Sequence, residues 1–243
     1  MTKHTPTTLA LLVAASAFAQ TAPTPAPAWT QTSNLAVSTD YVFRGVSQIA
    51  NSNAMAFSGG TDIAHSSGLA AGVWFSNQNI NDDPPAAPTD RISTLEADIY
   101  ASYTFKVGSA DLSAGVITYN YPSASAYNTI EGNVGVAVSG LSLKYYHAFT
   151  DYFGVTGTDG TGYLDLAYTY TVKDLTLGLH YGWTFGSGAQ ADYEDYKVSL
   201  SYPVLGYTLG VAFTDSNAGI FAPAYNNKQL DDGIVVVSLS KTF

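Results

Sequence analysis

The stretch Leu230–Phe243, LDDGIVVVSLSKTF, decides the reading of this chain. Val235, Val237, Leu239 and Phe243 fall on one face. Ser238, Ser240 and Thr242 fall on the other, with Ile234 and Val236 as apolar exceptions. A period of two marks a strand with one apolar and one mostly polar face. This strand ends the chain on an aromatic residue. Lys241 is the one charge on its apolar face, close enough to the end for its stem to lie along an apolar phase while the ammonium reaches water.

The same alternation runs back through the chain. Leu35, Val37, Tyr41 and Phe43 oppose Ala36, Ser38, Asp40 and Arg44, which predicts a first strand from Asn34 to Arg44. Leu95, Ile99, Tyr103 and Phe105 oppose Glu96, Asp98, Tyr100 and Thr104. Leu175, Leu179 and Trp183 oppose Thr176, His180 and Gly182. Residues 111–120 form a weaker strand whose pattern slips near Ile117. The whole pass predicts about 12 strands of about 10 residues each, and essentially no helix after the first residues. The connections alternate long and short, with Ser139-Gly140 and Pro203–Gly206 as tight turns.

Composition narrows the class. Charged residues are only 12% of the 243, against about 25% in average soluble domains. The formal net charge of −10, with nine scattered Lys and Arg, argues against a nucleic-acid partner. There is no Cys, so disulfides and thiolate metal sites are excluded. Met1 to Ala19 has a Lys3 start, a short apolar core and an Ala17-Phe18-Ala19 cleavage signal, which predicts a signal peptide (1–19) cut between Ala19 and Gln20. Residues 20–33 are Pro-rich and predict a periplasmic leader, followed by one domain over 34–243.

The aromatics fall in two bands. Phe43, Phe75, Phe149, Trp183 and Phe213 come at one end of the strands; Tyr103, Phe105, Tyr168, Tyr170, Tyr202, Tyr207 and Phe243 come at the other. Two aromatic girdles around a band of Leu, Val, Ile and Ala suit a bilayer. A soluble sandwich also alternates, but gives no reason to sort its rings to strand ends. In lipid every backbone polar group must be paired, and a closed sheet achieves this. The expected fold is therefore all-β: a transmembrane antiparallel up-and-down β-barrel, with short periplasmic turns and longer external loops. Phe243 is then an assembly signal for the barrel-insertion machinery, and lipid and lipopolysaccharide are the surroundings.

The run Leu35 to Gln48, LAVSTDYVFRGVSQ, is the most distinctive in the chain, and with Gly68 to Asn77 and Leu95 to Tyr103 it resembles the TorF-type family of proteobacterial porins. The resemblance covers residues 34–243. It implies an outer-membrane barrel, and brings neither an established substrate nor catalytic residues.

The inward face carries Asp40, Asp62, Glu96, Asp98, Glu131, Asp165 and Asp195 against Arg44, Lys144 and Lys197, with His180 nearby. Acidic rings favour cations, so an open lumen is expected to pass small polar solutes or ions with a cation preference. The competing expectation is that these charges pair across the lumen and brace a plugged barrel. Arg44 is expected to meet an acid on a neighbouring strand, or to sit near Glu131 or Asp195. A closed structural or adhesion barrel acting through its loops is the alternative function. No enzyme is expected: His65, His147 and His180 have no evident serine partner. No cofactor and no metal site are expected, although Asp82-Asp83, Asp151 and Asp231-Asp232 in the loops are of a type that binds Ca²⁺.

Overall fold

The computed structural model describes residues 28–49, 54–78, 95–222 and 228–243. The signal peptide, its Ala19/Gln20 cleavage site, most of the leader, and Asp82-Asp83 lie outside the described residues. Twelve antiparallel strands close into a barrel: β1 (Trp29–Ser38), β2 (Ala56–His65), β3 (Leu69–Asn77), β4 (Leu95–Val107), β5 (Ala110–Asn120), β6 (Thr129–Val138), β7 (Leu141–Ala148), β8 (Gly162–Val172), β9 (Leu175–Phe185), β10 (Tyr193–Val204), β11 (Tyr207–Ser216) and β12 (Ile234–Thr242). Each pairs with its neighbours in sequence, and β1 closes on β12 from Asn34 opposite Thr242 to Ser38 opposite Ser238. Closure leaves no free strand edge along the wall. The helical content of the described residues is a single 3₁₀ turn, Ser125–Tyr127.

At one end the connections are two or three residues long, and their backbone fits hairpin geometry. Ser139 and Gly140 have φ of 48° and 86°; Leu205 and Gly206 have 52° and 81°. Two successive positive φ values are the type I′ turn, whose twist matches that of paired strands. Pro203 and Val204, expected in that turn, remain in the ladder opposite Thr208 and Tyr207. At the other end the connections are long.

The outside is apolar and exposed. Phe75, Phe149, Trp183 and Phe213 ring the long-loop end; Tyr103, Phe105, Tyr170, Tyr202, Tyr207 and Phe243 ring the short-turn end. Lys241 lies over the Tyr207 and Phe243 rings, with Nζ 5.1 and 5.3 Å from their centroids. Phe243 is tied back through its backbone to Ser33.

Two boundaries differ from the sequence expectation. β1 starts at Trp29 rather than Asn34, because Trp29–Ser33 extends the ladder with Thr61–His65 of β2. A Pro-rich approach hides that start, since polar residues of low apolar contrast follow Trp29. β1 also stops at Ser38 rather than Arg44. The chain then turns into the barrel, so Phe43 is not part of the outer aromatic band.

Candidate functional site: a hairpin plug in the lumen

Residues 40–49 fold inward as a small hairpin, with Val42 opposite Ser47 and Phe43 opposite Val46. Its tip is Arg44-Gly45, with φ of 46° and 76°. The tip presses on the wall: a Cβ on Gly45 would lie 2.5 Å from the Asp195 Cβ and 2.6 Å from the Ser216 Cβ. Glycine supplies both the positive φ and the room. At the base, Ser47 Oγ sits 2.8 and 2.9 Å from the two Asp40 carboxylate oxygens. The Ser47 N–H donates to the Leu230 carbonyl at 2.7 Å, which ties the plug to the last long loop.

Arg44 is the centre of the plug. Its guanidinium donates to both Glu131 oxygens, at 2.8 and 2.7 Å, and to the Tyr152 hydroxyl at 2.9 Å. The Tyr119 hydroxyl donates to the same carboxylate at 3.1 Å. Arg44 and Glu131 are 8% and 1% exposed, so the pair is desolvated and depends on this bidentate geometry. The guanidinium carbon also lies 4.2 Å from the Tyr163 ring centroid and 4.8 Å from that of Phe43. Burial by itself would make the guanidinium easier to deprotonate; the Glu131 carboxylate outweighs it and holds Arg44 above its ordinary pKa. Burial raises the Tyr41 hydroxyl well above the ordinary phenol range, with the Glu96 charge adding to it.

The slip near Ile117 now has a cause. Ile117 and Tyr119 point inward and are 3% and 2% exposed; with Tyr121 they pack against Phe43, Tyr127 and Phe153. At this level the Phe43 ring of the hairpin and the Phe153 ring press on the wall, so the strand facing them is apolar on its inner side.

A second network crosses β8 to β10. His180 Nε2 is 2.8 Å from Asp195 and Nδ1 is 3.1 Å from Asp165. The Tyr163 hydroxyl donates to Asp195 at 3.0 Å. Lys144 stands opposite Asp165 in the ladder, and Lys197 opposite His180. Across the barrel the long-loop part of the arc from β2 to β4 carries acids, and its one lysine, Lys106, pairs with Asp111 at the short-turn end at 2.6 Å. Asp62 accepts from Tyr100 at 2.6 Å, Glu96 accepts from Tyr41 at 3.1 Å, and Asp98 is 1% exposed with neither carboxylate oxygen hydrogen-bonded.

The strand-borne residues singled out from sequence, Asp62, Glu96, Asp98, Glu131, Lys144, Asp165, His180, Asp195 and Lys197, all stand on the inward register. Asp40 and Arg44 need correction. They sit on the in-folded hairpin rather than on a strand, because the chain leaves the wall after Ser38. The tyrosines that complete the site (Tyr41, Tyr119, Tyr146, Tyr152 and Tyr163) were not singled out. For Tyr119, Tyr146 and Tyr163 the signal was Tyr at inward strand positions near the long-loop end, where a plain channel wall would carry small residues; Tyr41 and Tyr152 lie on the hairpin and in a loop, where alternation gives no direction.

A closed, even-stranded barrel with an apolar, aromatic-banded exterior and a polar interior is an outer-membrane β-barrel. The chain belongs to the family Gcw_chp, described as a bacterial protein of unknown function, which it matches over residues 22–243. No curated protein matches it in sequence. Among solved structures, the NanC porin is similar at 12% identity, over 86% of this chain and 98% of that one, with a TM-score of 0.57. A structure from a study of in-meso crystallization of membrane proteins is similar at 10% identity, over 88% and 83%, with a TM-score of 0.53. At such identities the likeness is one of fold.

Proposed function

We propose that this protein is a narrow porin of the outer membrane, passing small polar solutes or ions by passive diffusion with a preference for cations. The observation that carries it is the β2 to β4 arc: Asp62, Glu96 and Asp98 stand on the inward register, and the one Lys or Arg on these strands, Lys106, is paired with Asp111 at the short-turn end, whereas Arg44, Lys144 and Lys197 each lie near an acid elsewhere. An unbalanced acidic arc lowers the energy of a cation passing it. The fold shared with the NanC porin supports passage, and the resemblance of Leu35–Gln48 to TorF-type porins points the same way. In this reading the signal peptide exports the chain through the periplasm, the short turns and Phe243 face the periplasm, and the long loops face lipopolysaccharide. No catalytic role is proposed; His147 lies beside Tyr145 and Phe149 on the outer face.

One observation favours the second reading, a closed structural or adhesion barrel: the Asp40–Ile49 hairpin occupies the long-loop half of the lumen. Planar-bilayer recording separates the two. The porin gives cation-selective reversal potentials in a salt gradient, and neutralising the arc with Asp62→Asn reduces that selectivity. Silence of the wild-type barrel, together with silence after the hairpin is replaced by a short Gly-Ser linker, would leave the closed barrel.

A further inference from the structure

Beside the seam the outer wall is indented. Phe243, Ser33, Thr61 and Val73 stand in one paired row across β12, β1, β2 and β3, on the outward register. The next row toward the long loops is Lys241, Leu35, Gly59 and Phe75. Leu35 and Phe75 lean over Gly59 from both sides: a Cβ there would lie 2.7 Å from Leu35 Cδ2 and 3.2 Å from Phe75 Cζ. The small residues of the first row leave a cavity of about 270 Å³ beside that roof, open to the outside. Its floor carries the hydroxyls of Ser33 and Thr61, 2.7 Å apart. One hydrogen joins them, so the other is left to donate. At the short-turn mouth stands Lys241, with Nζ 5.3 Å from the Phe243 ring centroid. Among the described residues it is the one Lys or Arg on the outward register of a barrel strand, and no carboxylate lies within 4.0 Å of its ammonium.

We propose that this indentation holds one glycerophospholipid with an anionic headgroup, drawn from the leaflet at the short-turn end. Strands in a barrel tilt, so the two rows climb from Lys241 and Phe243 in the short-turn band to Phe75 in the long-loop band. The cation therefore lies at the interface and the cavity leads into the apolar zone, which is the polarity of a lipid. Lys241 takes the phosphate. The free hydroxyl hydrogen of the Ser33–Thr61 pair is donated to an ester carbonyl. One acyl chain lies along Val73 beside Leu35 and Phe75. A volume just under that of ordinary small-molecule pockets suits a single chain segment. Neither row contains an Asp or Glu to take a headgroup ammonium, and a lysine near a membrane surface favours anionic lipid. A second copy of the chain fits less well. A two-fold contact presents the same patch from both sides, and it would bring two lysines to one apolar interface without a counterion. The site lies outside the wall and leaves the charges of the lumen as they are.

Native mass spectrometry of the full-length barrel, refolded in detergent and freed of lipid, reads the site without any need for conduction. With phosphatidylglycerol, wild type should keep one lipid per barrel under activation that strips further copies. Phosphatidylcholine should bind about fivefold more weakly, since one basic residue near a membrane surface is worth about that factor for anionic lipid. Lys241→Gln should bring phosphatidylglycerol down to the same level. Thr61→Phe, which fills the cavity and keeps the charge, should weaken both lipids, whereas Val198→Phe on the outer face of β10 should weaken neither. Glycerol phosphate, which has the charge and no chain, should not compete. Equal binding of the two lipids by wild type overturns the proposal, as does full affinity in Lys241→Gln. Full affinity in Thr61→Phe, or displacement of the lipid by glycerol phosphate, removes the groove from it. A barrel dimer that is lost in Thr61→Phe would give the face to a second copy instead. Val73→Trp serves in place of Thr61→Phe if the latter does not refold. A barrel silent in bilayers that still keeps its one phosphatidylglycerol removes the porin and leaves the lipid site.

Discussion

Arg44 holds together groups from opposite parts of the sequence. It begins in the loop after β1 and ends on Glu131 of β6 and Tyr152 of a later loop. Removing one partner of such a pair leaves the other charge buried and uncompensated, at a cost of about 3–5 kcal/mol. Arg44→Met should therefore lower the urea stability of the refolded barrel by about that amount. Adding Glu131→Gln should recover a large share, since it removes the stranded carboxylate; equal loss in the single and double variants would refute this. The residues of the site were legible in unequal degree. Period two placed Glu96, Glu131 and Asp195 inward, and spacing along a strand needs no tertiary knowledge. The partner of Arg44 was within the range named from sequence, but its geometry was not, because nothing in a linear pattern announces a positive φ at arginine.

At the scale of the element, the hairpin explains what alternation misread. A two-stranded ribbon has the same period as a barrel strand, so Tyr41, Phe43 and their neighbours continue the β1 pattern while the chain has already turned inward. The visible trace lay elsewhere, in Ile117 and Tyr119, whose apolar inner face only makes sense opposite something apolar. Gly45 is the residue that permits the turn against Asp195 and Ser216. Gly45→Val should displace the hairpin, combining a strained φ with collision against the wall. Limited proteolysis within 40–49 should then become faster than in wild type, with the twelve-strand circular dichroism spectrum kept. Unchanged protection would mean that the tip is not held as described.

The whole molecule is governed by its two solvents. Closure, the apolar exterior and the length of the chain were all readable, because lipid imposes the same demands on every strand. A charge placed on the outer face should be costly in proportion to depth. Val198→Arg, at mid-strand on β10 and 46% exposed to the outside, should lower folding stability in lipid by about 2–4 kcal/mol, while the inward Ser199→Arg should cost far less. Equal costs would argue against a bilayer around the barrel. Deleting Phe243 should reduce the amount of heat-modifiable barrel in the outer membrane, and normal levels in the deletion would remove its role as an assembly signal.

The seam and the plug share one piece of chain. Thr39 makes the last rung with β12, donating through its backbone to the Val237 carbonyl at 2.9 Å and accepting the Val237 N–H on its hydroxyl at 3.0 Å. Asp40 follows at once, clamped to Ser47, and Arg44 lies a short step beyond. The two are mechanically in series. A force that peels β1 from β12 from the amino-terminal end opens the Ser33–Phe243 rung first, reaches Thr39 last, and is then transmitted through the Asp40 clamp to the guanidinium. Stretched from its amino-terminal end, this barrel should yield at the seam and unplug in the same rupture event rather than in two.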